Sequence, residues 1–289
     1  MLEIDHKKEL SKLINSFGYK YSTDRVFSDF VELGAISISN AVDKAQRERR
    51  EKRYLQLIEN YEEKEAQIFP KLMTVLTDGL EHRMTDLFGE TFMELDLGND
   101  DNGQFFTPYD VSQLMAEMAF GDIDEKIKEK GYVGVNEPAV GGGVTIIALA
   151  EAMQKRGYNY QKQMKVVCQD IDSRSVHMAY LQLSLLGIDA TVLRGNTLTL
   201  KMNESWHTPM KMMNRIQDRN RQQTERMIEK MKQESHRYAT LAGEENLDGR
   251  WTASGMPWGS IAELPAEALF LLIMFLLVLM HLLKQIFVD

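Results

Sequence analysis

Val133-Gly134-Val135-Asn136-Glu137-Pro138-Ala139-Val140-Gly141-Gly142-Gly143 is the stretch that decides how this chain folds. A short apolar run ends in an acid, three glycines follow, and an apolar helical pattern runs from Val144 to Met153. Strand, glycine turn and helix open a doubly wound parallel sheet, whose ligands bind outside the carboxyl ends of the strands. The glycines let the backbone approach a ligand closely, and the helix start offers N–H groups without partners. Three glycines alone also make plain turns. The strand before and the helix after give them meaning.

Read outward, the same alternation continues. The first strand covers Tyr132 to Val135, and Val166 to Gln169 is the second, with Asp170 at its carboxyl end. In this fold class an acid there bonds a pair of ribose hydroxyls. Asp170 can equally cap the helix expected over Ser173 to Leu186. Ala190 to Leu193 forms a third strand that runs into Gly195-Asn196. Upstream lies Gly103-Gln104-Phe105-Phe106-Thr107-Pro108, and Thr107 or Asp110 can cap a helix over Val111 to Phe120.

At these residues the chain resembles the adenine-specific N6 DNA methylases, the modification subunits of type I restriction systems and their relatives. Gly-Gln-Phe-Phe-Thr-Pro, with Phe106, Thr107 and Pro108, resembles that family's first cofactor motif. Glu137-Pro138-Ala139-Val140-Gly141-Gly142-Gly143 resembles its Asp-Pro-Ala-Cys-Gly-Ser-Gly loop. Asp170 falls where the family has its ribose-binding acid. Gly195-Asn196-Thr197-Leu198 resembles its Gly-Asp-Thr-Leu segment, whose acid contacts the adenine of S-adenosylmethionine. The resemblance covers about a third of the chain. It implies S-adenosylmethionine as cofactor, DNA as substrate and a helical N-terminal domain. The implied cofactor-binding residues are Phe106, Thr107, Pro108, Glu137, Pro138, Ala139, Gly141, Gly143, Asp170 and Asn196. Glu137 stands for Asp on a longer arm, Val140 and Gly142 stand for Cys and Ser, and Asn196 stands for Asp. The Asn196 amide oxygen is expected to accept from an exocyclic amine.

One family segment is missing. Asn/Asp-Pro-Pro-Tyr/Phe should follow the third strand, and no two of the six prolines are adjacent. In the family that segment holds an adenine flipped out of the duplex, because the target atom is unreachable in a stacked helix. In its place stands Asn203-Glu204-Ser205-Trp206-His207-Thr208-Pro209-Met210. Asn203, Trp206 and His207 are the surrogates on offer, but an ordinary loop is the expectation, and further strands are expected to be absent. No metal-ligand pattern stands out.

The flanks are of other kinds. Residues 1–98 read as a helical domain. Leu10, Leu13, Ile14 and Phe17 recur at helix spacing before Gly18, and Val26 to Ile38 is a second apolar segment. Asp43 to Phe69 reads as one long charged helix and Leu72 to Leu87 as one more amphipathic helix. The first opens with Lys44, Arg47, Arg49, Arg50, Lys52 and Arg53, which could meet phosphates but fit a solvated face better. A polar cluster at Gly98 to Gly103 marks the boundary to the α/β domain, 99–200. Residues 201–242 read as a long charged helix whose polar middle suits projection or a partner. After a linker, 243–263, comes a segment at 264–288 whose core, Ala268 to Leu283, has 16 residues and no Asp, Glu, Lys or Arg. It is a little short of the ~20 residues that span a bilayer, and its flanks extend it.

Composition bounds the rest. The formal charge of −9 argues against a broadly basic nucleic-acid wrapper. The single cysteine, Cys168, lies in an expected core strand and excludes an internal disulfide. The charged start carries no signal peptide pattern. The expected fold is therefore α/β: a partial class I methyltransferase, Rossmann-like and doubly wound, preceded by a helical domain and followed by a hydrophobic helix. The expected function is adenine-specific DNA N6-methylation with S-adenosylmethionine, by a cytoplasmic chain anchored to the membrane through its last helix. It is expected to be weak alone and to work beside a specificity or other methylase subunit. The other reading is a non-catalytic, membrane-anchored module that binds the cofactor or DNA.

Overall fold

The computed structural model describes residues 4–97 and 107–242, except for the side chains of 234–242. Six helices come first: α1 His6–Asn15, α2 Thr23–Val42, α3 Arg47–Ile58, α4 Glu63–Ala66, α5 Ile68–His82 and α6 Leu87–Glu94. Helix α7, Tyr109–Lys130, leads into β1 Val133–Glu137, α8 Val144–Lys155, the short α9 Tyr160–Gln163, and β2 Met164–Asp170. Then come α10 Ser173–Leu185, β3 Asp189–Asn196, β4 Lys201–His207 and α11 Pro209–Ala242.

The four strands lie in sequence order, β1-β2-β3-β4. β1, β2 and β3 are parallel, with Val135 beside Val166 and Val166 beside Ala190. Right-handed crossovers put α8 and α10 on one face of such a sheet. The burial pattern agrees: Val133, Met164, Val166, Cys168, Ala190, Val192 and Trp206 are buried. The residues between them turn the other way, and Gly134, Asn136 and Val167 are exposed. One covered face gives strands that alternate.

β4 corrects the expectation of a loop and of no further strand. It runs antiparallel to β3, with Trp206 beside Val192 and His207 beside Thr191. Trp206 is its one buried residue and Met202 its one other apolar residue, so period-two patterning gave no sign of it. A register shift between Arg194 and Gly195 leaves Asn203 between the paired Met202 and Glu204.

The expected long helix from Asp43 to Phe69 is divided. α3 ends at Ile58, and Glu62 opens α4 with a reciprocal capping box to Glu65. α5 then runs to His82, and the second expected helix, Leu72 to Leu87, ends five residues early, before α6 begins at Leu87. Arg83 leaves helical geometry there, and Asp86 caps the new helix. α7 starts after Pro108 with no side-chain cap, so neither Thr107 nor Asp110 plays that part. It continues past Phe120 to the left-handed Gly131.

The described residues up to Thr224 form one compact unit, and Glu225 opens a second. Within the first, the segments read as separate domains share one hydrophobic core, which includes Phe27, Phe30, Phe88 and Phe92 as well as Ile147, Tyr180 and Leu181. Helix α10 packs on α2 and α5. Among the described residues no helix is long and apolar enough to cross a membrane. The expected hydrophobic helix at 264–288 lies outside the described residues, as does the linker at 243–263.

Candidate cofactor site

The carboxyl ends of β1, β2 and β3 are tied together by side chains. At the end of β1, Glu137 Oε1 accepts from the Ala139 amide at 3.1 Å and Oε2 from the Thr145 hydroxyl at 2.9 Å. That carboxylate spans the turn from strand to helix. Gly141 and Gly143 have φ of +53° and +104°, a region that favours glycine. The Gly143 amide bonds back to Val140 O at 2.9 Å, closing the turn.

Asp170 holds this loop from the next strand. Its Oδ2 accepts from the Gly141 amide at 2.9 Å, and its Oδ1 from the Asp172 amide at 2.9 Å. The helix cap belongs instead to Asp172, which accepts from Ser175 N. Both Asp170 oxygens keep a second lone pair, which is what a pair of ribose hydroxyls requires.

The third strand joins through Thr197. Its hydroxyl donates to Pro138 O at 2.7 Å and accepts from Gln169 Nε2 at 2.8 Å. Asn196 next to it shows a geometry that differs from the expectation. Its amide oxygen accepts from Leu198 N at 2.9 Å and Thr199 N at 3.1 Å. Both partners are donors, so the orientation of the amide is forced. The Nδ2 group is the remaining hydrogen-bonding function, and it donates. Asn196 thus presents a donor rather than the acceptor expected from its sequence.

Thr107 and Pro108 are exposed and line a cavity of about 620 Å³ with Asp86, Gly89, Glu90 and Tyr109. Phe106 lies outside the described residues. Tyr109 and Gln113 both donate to Glu151 on α8, at 3.1 and 2.6 Å, which fixes the start of α7 against the helix after the glycine loop. Pro138 and Ala139 are exposed on the loop itself.

Of the surrogates for the missing base-binding segment, two are placed elsewhere. Trp206 is 2% exposed, with the Arg50 guanidinium 3.7 Å from its ring centre and Tyr180 and His177 against it. His207 bonds Thr191 Oγ1 at 3.2 Å, near the start of β3 and away from its carboxyl end. Asn203 is exposed, in a groove with Gln46, Arg49, Glu204 and Ser205. The cationic start of α3 is also partly spent inside. Arg50 is buried and bonds Asp43 and Ser205 O, Arg49 pairs with Glu204, and Arg53 pairs with Glu32. Cys168 is buried in the core as expected, and burial pushes its thiol well above the usual range. Among the described residues no group of acids, histidines or cysteine could hold a metal ion.

A glycine turn, an acid and a polar third-strand end thus meet at one edge of the parallel sheet. A family model described as N-6 DNA Methylase matches residues 84–251, more than half of the chain, and the chain belongs to that family. Its members use S-adenosylmethionine. One similar solved structure is described as a class I S-adenosylmethionine-dependent methyltransferase from Listeria monocytogenes. It is 15% identical, with 67% of this chain and 54% of that one covered, at a TM-score of 0.37. Another is the methyltransferase subunit of a type I restriction-modification system from Streptococcus thermophilus. It is 17% identical, with coverage of 67% and 44%, at a TM-score of 0.38. The chain spans about half the length of these structures. No curated protein matches it.

Proposed function

We propose that this chain binds S-adenosylmethionine across the carboxyl ends of β1, β2 and β3 and serves adenine N6 methylation of DNA. The observation that carries the reading is the bond from Gly141 N to Asp170. It joins the acid at the end of β2 to the glycine loop after β1. Asp170 receives the ribose hydroxyls, and the backbone of Gly141 to Gly143 with the first turn of α8 receives the methionyl end. Asn196 donates to a ring nitrogen of the cofactor's adenine. Thr107 and Pro108 stand at the start of α7, in a cavity that Asp86 also lines. When bound, the cofactor supplies an electrophilic methyl group on a sulfonium.

The base-binding half of the reaction is a separate matter. With no Pro-Pro pair in the chain and with Trp206 buried, the flipped base needs a holder from a partner, such as a second methylase or specificity subunit. We propose that the chain alone transfers methyl groups poorly. Calorimetry with S-adenosylmethionine tests the cofactor site, and absence of binding sinks the reading. Labelled methyl transfer to duplex adenine tests the second half. Efficient transfer that is lost in Asn203→Ala would show that β4 supplies the holder. Binding with no transfer, alone or with a partner subunit, leaves a cofactor-binding module.

A further inference from the structure

The glycine loop is held from a second side, by a residue of the helical segment. Asp86, the N-cap of α6, is 3% exposed. Its Oδ1 accepts from Gly89 N at 2.8 Å and from Gln182 Nε2 at 2.7 Å. Gln182 on α10 is fully buried and gives its other N–H to the Gly142 carbonyl at 2.7 Å. Its Oε1 accepts from Phe88 N at 3.1 Å, so the whole amide is engaged. Burial raises the Asp86 carboxyl above its usual range. Capping a helix does not require this, because an exposed Ser or Asp caps as well. A buried carboxylate is costly and calls for another purpose.

Gly142 points to that purpose. A Cβ built there would stand 2.7 and 2.8 Å from the two Asp86 oxygens. The backbone of Gly142 is not left-handed, so Asp86 is what demands a glycine here. This accounts for Gly142 where the resembled loop has Ser. Asp170 anchors Gly141 through its amide, and Gln182 anchors Gly142 through its carbonyl. The peptide between those two anchors is thereby held from both sides.

We propose that Asp86, acting through Gln182, is a positioning residue that sets the glycine loop in its ligand-binding conformation. The proposal rests on the cofactor reading above for its ligand, but not for its geometry. Two measurements on the full chain test it: calorimetry with S-adenosylmethionine below the melting point of each variant, and hydrogen exchange of the loop amides without ligand. Gln182→Leu removes the bond to Gly142 and leaves the Asp86–Gly89 cap intact. It is expected to weaken binding by about tenfold or more and to speed exchange at Gly142 and Gly143. Asp86→Asn keeps an oxygen for both donors and is expected to bind within roughly threefold of the original. Gly142→Ala is expected to lose affinity, because its methyl group would meet the Asp86 oxygens.

Unchanged affinity and exchange in Gln182→Leu overturn the proposal. If that variant does not fold, Asp86→Ser, which keeps a helix cap but is too short to hold Gln182, decides, and unchanged affinity and exchange in it overturn the proposal. A chain that binds no S-adenosylmethionine sinks the cofactor reading, while loop exchange still decides the role of Asp86.

Discussion

The Asp170 carboxylate, at the end of β2, accepts a 2.9 Å hydrogen bond from the amide of Gly141, in the loop after β1. One acid therefore shapes the loop and, in the proposed function, receives the ribose. Asp170→Ala removes both contributions. A hydrogen bond to a charged group is worth about 1.5–3 kcal/mol, so affinity for S-adenosylmethionine is expected to fall about 10- to 100-fold. Calorimetry checks this, and an unchanged dissociation constant would remove Asp170 from the site.

Gly141→Val is expected to abolish cofactor binding in a folded chain. With φ at +53°, a β-branched residue is strained there by about 1–3 kcal/mol, and its side chain stands where the ligand must approach. Circular dichroism reports the fold and calorimetry the binding. Equal affinity in both forms contradicts the assignment of this loop.

Arg50 joins the helical segment to β4. It is 3% exposed, bonds Ser205 O at 2.8 Å and Asp43 at 3.3 Å, and stacks on Trp206. Arg50→Ala leaves Asp43 buried without its cation, which costs about 3–5 kcal/mol. Urea unfolding monitored at Trp206 should show the midpoint fall accordingly. A change under about 0.5 kcal/mol, typical of an open surface site, would mean that Arg50 is not structural.

His177 gives stability a dependence on pH. It is buried against Trp206, and burial lowers its pKa from the ordinary histidine value near 6.5. The unfolded chain takes up a proton as pH falls through about 6.5, while the folded chain takes it up only at lower pH. Stability is therefore full above that value and declines below it, by at most about 1.4 kcal/mol per pH unit. Melting temperatures at pH 7.5 and 5.5 check this. His177→Gln is expected to reduce the difference, and an equal slope in the variant assigns it to other groups.

The run Ala268 to Leu283 keeps its sequence expectation as a proposal. Its 16 residues with no Asp, Glu, Lys or Arg should carry the full-length chain into the membrane pellet, resistant to carbonate and to high salt. A full-length chain found wholly in the soluble fraction rules out an anchor.

What the sequence determined by itself was the parallel half of the sheet and its functional edge. Val133, Val135, Val166, Ala190 and Val192 carry strand signals, and glycines and acids fall where those strands end, so local chemistry suffices to order the loops at one edge. Family membership follows from the same motifs. Tertiary structure decided the rest. β4 has little apolar pattern of its own and exists because β3 offers it an edge and Arg50 and Tyr180 bury Trp206. Asn196 became a donor because its oxygen is turned onto Leu198 N and Thr199 N, which no composition reveals. The Asp86–Gln182–Gly142 bridge joins positions up to 96 residues apart. Its members look like a helix cap, a surface amide and a turn glycine when read singly. Only packing α6 against α10 makes them one buried unit, because a hydrogen bond between distant residues is specified by the fold that brings them within reach.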